Sequence, residues 1–190
     1  MKFVSYNIQY GFGQDGRFDP DRIADSIRDA DVIALQEVTR GYSRNDYADL
    51  VEIFSAAFPT YFTVFGPACD VLVDHAVTDG RLRERRFQFG NMVLSRFPIR
   101  ASRNLLLPRH RTFDRLNLQR GALEAVIEAP GGALRVYSVH LDHVSPDERL
   151  AQIAFLKDRV QLYGEEGGAL TGVNEFGLPD PPLPQDFLIM

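Results

Sequence analysis

Lys2-Phe3-Val4-Ser5-Tyr6-Asn7 is a short alternating run that ends on an amide, and Val32-Ile33-Ala34-Leu35-Gln36-Glu37 is an apolar run that ends on a carboxylate. Their length and apolar, β-branched content predict strands, bounded by Gly11-Phe12-Gly13 and by Thr39-Arg40-Gly41. Between them, Asp19 is placed to cap a helix with Pro20 in its first turn, and Ile23, Ala24 and Ile27 recur at helical spacing up to about Asp29. A strand, helix, strand unit closes by a right-handed crossover. That lays the two strands parallel and brings Asn7 and Glu37 to one edge of one sheet.

Further along, Leu50, Val51, Ile53, Phe54 and Ala57 predict an amphipathic helix over Tyr47–Phe58, which Pro59 closes. Strands are expected at Tyr61–Phe65, Asp70–His75, Arg86–Ser95, Ile99–Leu107, Asn117–Ala129 and Ala133–Leu141. Turns fall at Asp79-Gly80-Arg81, Phe97-Pro98 and Pro130-Gly131-Gly132, the last a hairpin signal. Ser145 caps a predicted helix over Pro146–Tyr163, whose buried stripe is expected to be Leu150, Ile153, Ala154, Phe155, Leu156, Val160 and Leu162. The five glycines and four prolines between Gly164 and Gln185 read as a long loop, Gly172-Val173-Asn174-Glu175 included, and Asp186–Met190 as a last strand. Hairpins after strand-helix units predict an α/β (α+β) chain of mixed sheets with helices outside and no internal repeat or linker.

At 190 residues, 45% hydrophobic and 25% charged, the chain can bury a sizeable core and is not of disordered composition. No stretch approaches the roughly 18 apolar residues of a membrane span, and the opening residues turn polar too early for a signal-peptide core, so a cytoplasmic protein is expected. The single cysteine, Cys69, has no internal disulfide partner and reads as a packing residue. The net charge of −5 is uneven: eleven arginines against Glu84 and Asp114 give residues 81–120 a net +9 and leave −14 on the rest. Most of these arginines fit a solvated face, and the acidic balance argues against a protein that grips long duplex DNA through many phosphates.

An amide and a carboxylate at neighbouring strand ends are hard oxygen donors suited to magnesium. The plainer alternative is a polar residue opening a turn, which fits Asn7 taken alone. The Gln36-Glu37 pair fits it less well, because a charge after a buried run has no partner nearby in sequence.

Ser5-Tyr6-Asn7-Ile8, Leu35-Gln36-Glu37-Val38, Gly90-Asn91-Met92-Val93-Leu94-Ser95-Arg96-Phe97-Pro98-Ile99, Arg120-Gly121-Ala122-Leu123 and Ser138-Val139-His140-Leu141-Asp142-His143 follow one another along the chain. In that order they resemble the endonuclease/exonuclease/phosphatase superfamily, over essentially the whole sequence. That superfamily includes pancreatic-type deoxyribonucleases, apurinic endonucleases, neutral sphingomyelinases and inositol polyphosphate 5-phosphatases, metal-dependent enzymes that cleave phosphate esters.

The resemblance implies two mixed sheets packed face to face with helices outside, a four-layer sandwich, in a single domain over residues 1–190. It also implies a divalent-metal-dependent phosphoesterase, most simply a phosphodiesterase, using Mg2+ or Mn2+ on nucleic acid, phospholipid or a small molecule. It assigns Glu37 as metal ligand, Asn7 as ligand or water-positioning amide, His140 as the catalytic group that bonds the scissile phosphate, and Arg120 as a substrate-binding cation. A histidine suits the third role because it can donate at neutral pH, and a planar guanidinium suits the last. For Arg120 the alternative is an exposed strand-end arginine. Asn91 and Asp142 match as supporting or turn residues, His143 and Arg149 as residues that orient the strand-to-helix corner, and His75 and His110 match nothing.

The superfamily follows an apolar strand such as Phe187–Met190 with Gly-Asp-x-Asn and later acids and a histidine that activate water. None of these follows here, so the expected chain is C-terminally incomplete. It is expected to be a poor catalyst, since losing a water-activating base costs about 10²- to 10⁴-fold, and to self-associate through open sheet edges. A binding or regulatory module without catalysis and a purely structural domain remain as alternative readings.

Overall fold

The computed structural model describes residues 1–173, 175–178 and the backbone of Leu188–Ile189. The first strand-helix-strand unit forms as its pattern predicts. Strand β1 (Phe3–Asn7) and strand β2 (Val32–Arg40) run parallel with Asn7 opposite Gln36. Helix α1 (Pro20–Ile27) connects them, and the Asp19 carboxylate accepts the Arg22 N–H at 3.0 Å as its cap. Helix α2 (Leu50–Ala57) is capped in the same way by Asp49.

The expected pair of short strands after α2 is instead one strand, β3 (Phe62–Thr78), which forms a long hairpin with β4 (Arg81–Ser95). Gly66-Pro67 reads as a break in sequence, but β3 lies at the edge of its sheet, where a proline has a ladder position without a required donor, and bulges at Pro67/Cys69 and Leu72/Asp74 absorb the misfit. Strands β5 (Ile99–Leu106), β6 (Gly121–Ala129) and β7 (Gly132–His140) form an antiparallel meander. The strand predicted from Asn117 starts four residues later, at Gly121. In the β6–β7 turn Gly131 has φ +99°, the position that calls for glycine after a proline.

Helix α3 (Pro146–Gln161), capped by Ser145, and the short helix α4 (Tyr163–Glu166) follow. Leu188–Ile189, strand β8, pairs parallel to β7 at Arg135 and Val136. The rest of the strand expected over Asp186–Met190 lies outside the described residues, as does Asn174 of the loop reading.

Two four-stranded sheets result, ordered β1-β2-β4-β3 and β5-β6-β7-β8. Alternation along the strands decides what each face buries. Leu35, Met92 and Leu94 meet Ile23, Ile27, Leu50 and Phe54 of α1 and α2 on the outside of the first sheet. Val32 and Val93 meet Leu123, Ala125, Ile127 and Val136 between the sheets. Leu107, Ala122 and Tyr137 meet Leu156 of α3 on the far side. This is the four-layer sandwich. Among the described residues no helix is long and apolar enough to cross a membrane.

The stripe expected on α3 holds at Leu156, with Phe155 and Val160 packed beside it, and is corrected toward the helix start. Leu150 is 65% and Ile153 48% exposed, and the helix turns Glu148, Gln152 and Leu156 inward. The two polar residues latch the segment between β5 and β6. Glu148 accepts the His110 backbone N–H at 2.9 Å, and Gln152 donates to the Pro108 carbonyl at 3.0 Å while accepting the Asp142 N–H at 2.7 Å. Buried polar groups held this way replace the apolar contacts that periodicity leads one to expect.

Candidate active site

The four residues singled out from sequence come together at one end of the sandwich. Asn7 ends β1, and its Nδ2 donates to Glu37 Oε1 at 3.1 Å, while its Oδ1 accepts the Gln9 N–H at 3.0 Å. His140 ends β7 in the other sheet, with Nε2 3.6 Å from Glu37 Oε1. Arg120 immediately precedes β6, whose Gly121 is paired with His140, and its Nη1 lies 3.3 Å from His140 Nδ1.

Backbone irregularity places Glu37. Gln36 pairs with Asn91 and Val38 with Gly90, so Glu37 is the extra residue of a β-bulge, held at φ +62°. That conformation costs a non-glycine residue about 1–2 kcal/mol. Gln9 and Tyr10, in the turn after β1, also have positive φ, at 46° and 59°. Gly90, opposite Val38 beyond the bulge, has to be glycine for its other neighbour: a Cβ there would come within 2.1 Å of the Gly66 carbonyl oxygen on β3. Strained backbone of this kind collects at functional sites, where surrounding structure holds a side chain in a required direction.

Arg120 is not an exposed strand-end arginine: it is 4% exposed. Its Nη2 donates to His143 Nδ1 at 2.6 Å, its guanidinium carbon lies 5.6 Å from the centre of the Phe89 ring, and its Nε has no partner. His143 thus engages Arg120 rather than the strand-to-helix corner expected for it. Arg149 does serve that corner, donating to the Asp142 carbonyl at 3.3 Å. Burial, reinforced by the positive charge of Arg120 and by His143, lowers the His140 pKa to about 4, so the imidazole is neutral at pH 7. Arg120 Nη1 lies 3.4 Å from His140 Nε2 as well as 3.3 Å from Nδ1, so it can donate to whichever ring nitrogen is unprotonated.

Supporting residues sit underneath. Asn91 Nδ2 donates to both the Gly121 and Ser138 carbonyls at 2.8 Å, and Gln36 Nε2 donates to Ser138 Oγ at 3.0 Å. Asp142 accepts the Val144 and Ser145 N–H groups at 2.7 and 2.6 Å; burial opposes its ionisation, but these two donors hold its carboxyl below the usual range. His75 and His110 lie outside this cluster, and the His110 ring is exposed.

Sequence reasoning missed Tyr10, Phe89 and the role of His143. Phe89 stacks obliquely on His140 with ring centres 5.7 Å apart. Tyr10 packs on Phe89 at 6.0 Å, and burial together with the Glu37 charge pushes its phenol pKa up. The aromatic immediately before Gly90-Asn91 was the one available signal for Phe89.

Glu37 supplies one charged oxygen donor, and Asn7 Oδ1 keeps a second lone pair beside its bond to Gln9. One carboxylate and one amide oxygen match what magnesium takes from a protein when waters and a substrate phosphate complete its octahedron. Among the described residues no group of three or more His, Cys, Asp or Glu comes together as a metal cage.

A family model described as "Endonuclease/Exonuclease/phosphatase family" matches residues 4–170. Among solved structures, an endonuclease/exonuclease/phosphatase from Beutenbergia cavernae is similar at 26% identity and a TM-score of 0.63, over 82% of this chain and 43% of that one. A mannosyl-6-phosphatase from Bacteroides thetaiotaomicron aligns at 18% identity and 0.59, over 90% and 62%. D. rerio TDP2 complexed with single strand DNA product aligns at 16% and 0.57, over 85% and 54%. The last two show the fold alone. The chain spans between 43% and 62% of the length of these three structures. No curated protein matches it.

Proposed function

Because this chain belongs to the endonuclease/exonuclease/phosphatase family, we infer that it carries one side of the active site of a divalent-metal-dependent hydrolase of phosphate esters, most simply a phosphodiesterase. One observation carries the reading: Asn7 and Glu37 from one sheet and His140 and Arg120 from the other converge within hydrogen-bonding or ion-pair reach. Glu37 would hold the metal, with Asn7 beside it as a second ligand or as an amide that positions a metal-bound water. Bound there, Mg2+ or Mn2+ supplies charge neutralisation at the phosphate oxygens.

The protein groups do the rest. Neutral His140 offers a ring N–H to a phosphate oxygen lying beside Glu37, a hydrogen bond that strengthens as charge builds on that oxygen. Arg120 lies within reach of both ring nitrogens, and its positive charge favours an anion at that place. Phe89 gives both groups a dry wall. The substrate is a phosphate ester of nucleic acid, phospholipid or small-molecule type, in a cytoplasmic setting. Self-association has support from the strand order, which leaves β1, β3 and β5 at sheet edges.

Titration with MgCl2 or MnCl2 followed by thermal melting tests the metal. The wild-type chain is expected to melt several degrees higher at saturating metal, whereas Glu37→Ala keeps its metal-free melting point within a degree or two and loses the metal-dependent rise. An equal rise in both proteins sinks the assignment.

A further inference from the structure

We propose that the cavity beside this centre binds a planar aromatic ring carried by the phosphate ester, so that the ring-bearing half of the substrate, and not phosphate alone, decides what is accepted. The proposal rests on the phosphoesterase reading and deepens it. The cavity, about 390 Å³, is lined by Tyr10, Tyr42, Tyr47 and Phe87 together with Val71 and, at its rim, Leu116. That lies toward the small end of the roughly 300–1,000 Å³ of small-molecule sites, a size for a ring system rather than a pair of acyl chains. The tyrosine hydroxyls and Ser43 give it a polar fringe against which a heterocycle or a phenol can hydrogen-bond.

Continuity with the phosphate end is the second support. Rings run unbroken from the cavity to the catalytic imidazole: Phe87 to Tyr42 at 5.5 Å, Tyr42 to Tyr10 at 4.9 Å, Tyr10 to Phe89 at 6.0 Å and Phe89 to His140 at 5.7 Å. Tyr10 belongs to both places, and its backbone is pinned by Asn45, which donates to the Tyr10 carbonyl at 3.2 Å. Beyond the cavity, Leu116 also lines a second recess that carries Arg109, Arg111 and Arg115. A ring seated on Tyr42 would therefore lie between the hydrolytic centre and a cationic recess. Rings stack well on such surfaces whatever their substituents.

Calorimetric titration of the full chain in EDTA, which separates binding from turnover, tests this with four probes: inorganic phosphate, ethyl phosphate, phenyl phosphate and uridine 5′-monophosphate. Phenyl phosphate is expected to bind about tenfold more tightly than ethyl phosphate, the scale of one stacked ring. Tyr42→Ala should erase that advantage. So should Leu116→Asp, which changes an exposed rim residue and leaves the fold intact, while inorganic phosphate binds both variants as it binds wild type. Uridine 5′-monophosphate binding above phenyl phosphate assigns the ring to a nucleobase, and the reverse order assigns it to a simple aryl group; either supports the proposal. Equal binding of ethyl and phenyl phosphate, with phosphate binding still lost in Arg120→Ala, overturns the ring pocket and leaves the phosphoesterase reading standing. If no probe binds, the ring pocket is overturned, while the phosphoesterase reading is decided separately by the metal-dependent melting of wild type against Glu37→Ala.

Discussion

The two outer layers of the sandwich are built differently. On the flank of the first sheet, α1 and α2 press Ile23, Ile27, Leu50 and Phe54 against Leu35, Met92 and Leu94, an apolar seam without a polar break. On the flank of the second, α3 buries Leu156 in a smaller cluster with Phe155 and Val160 packed at its side, turns Glu148 and Gln152 inward to hold the segment between β5 and β6, and leaves Leu150 and Ile153 in solvent. All three helices have periodic apolar positions. Periodicity therefore identifies a helix but does not say which layer, if any, covers its apolar stripe.

The contrast is testable in order of size. Phe54→Ala empties a fully buried site and is expected to cost about 3–5 kcal/mol in urea unfolding. Leu156→Ala, in the smaller cluster, is expected to cost about 2 kcal/mol, the low end for such a truncation; an equal loss in the two variants would erase the distinction between the flanks.

An acid-side effect comes next, from the junction of the sheets. His140 has a folded pKa of about 4 against an ordinary value of 6.5, so between these limits the unfolded chain takes up a proton that the folded one refuses. Its contribution is fully present above pH 6.5 and is lost as pH falls toward 4, on the order of 1–3 kcal/mol. In EDTA, His140→Gln is expected to flatten the stability profile across that window, as followed by urea titrations at successive pH values. Asp142, with a lowered carboxyl pKa, contributes at higher pH and loses its contribution only as pH falls through its own, lower range, so it does not mimic the effect. Smallest of all, Leu150→Ala on the open stripe of α3 should stay within about 0.5 kcal/mol of wild type.

Much of the frame was legible because it is local. The β1-α1-β2 unit follows from two apolar runs, a capped helix and the handedness of crossovers, and its prediction that Asn7 and Glu37 share a sheet edge holds in the register Asn7–Gln36. The Pro130-Gly131 hairpin follows from turn chemistry. What escaped depends on contacts far apart in sequence. Pro67 was tolerated because β3 is an edge strand, a fact of sheet order and not of residues 66–69. Nothing in Leu35-Gln36-Glu37-Val38 announces that Glu37 is squeezed out at φ +62°, since that follows from Asn91 and Gly90 taking consecutive partners on either side of it. Arg120 matches as a substrate-binding cation with an exposed strand-end arginine as the alternative, and only its burial escaped, because a cation held between two imidazoles is invisible until β6, β7 and the following turn are assembled.

Asn91 gives the arrangement a mechanical character. It sits on β4, opposite Gln36 one residue before the bulge, yet its amide grips the carbonyls of Gly121 and Ser138, the neighbours of Arg120 and His140 on the opposing sheet. The chemical gap is thus set like the jaws of a caliper, with one amide as the locking screw just behind the measuring faces. Slack at that screw would widen the span between carboxylate and imidazole without disturbing either jaw.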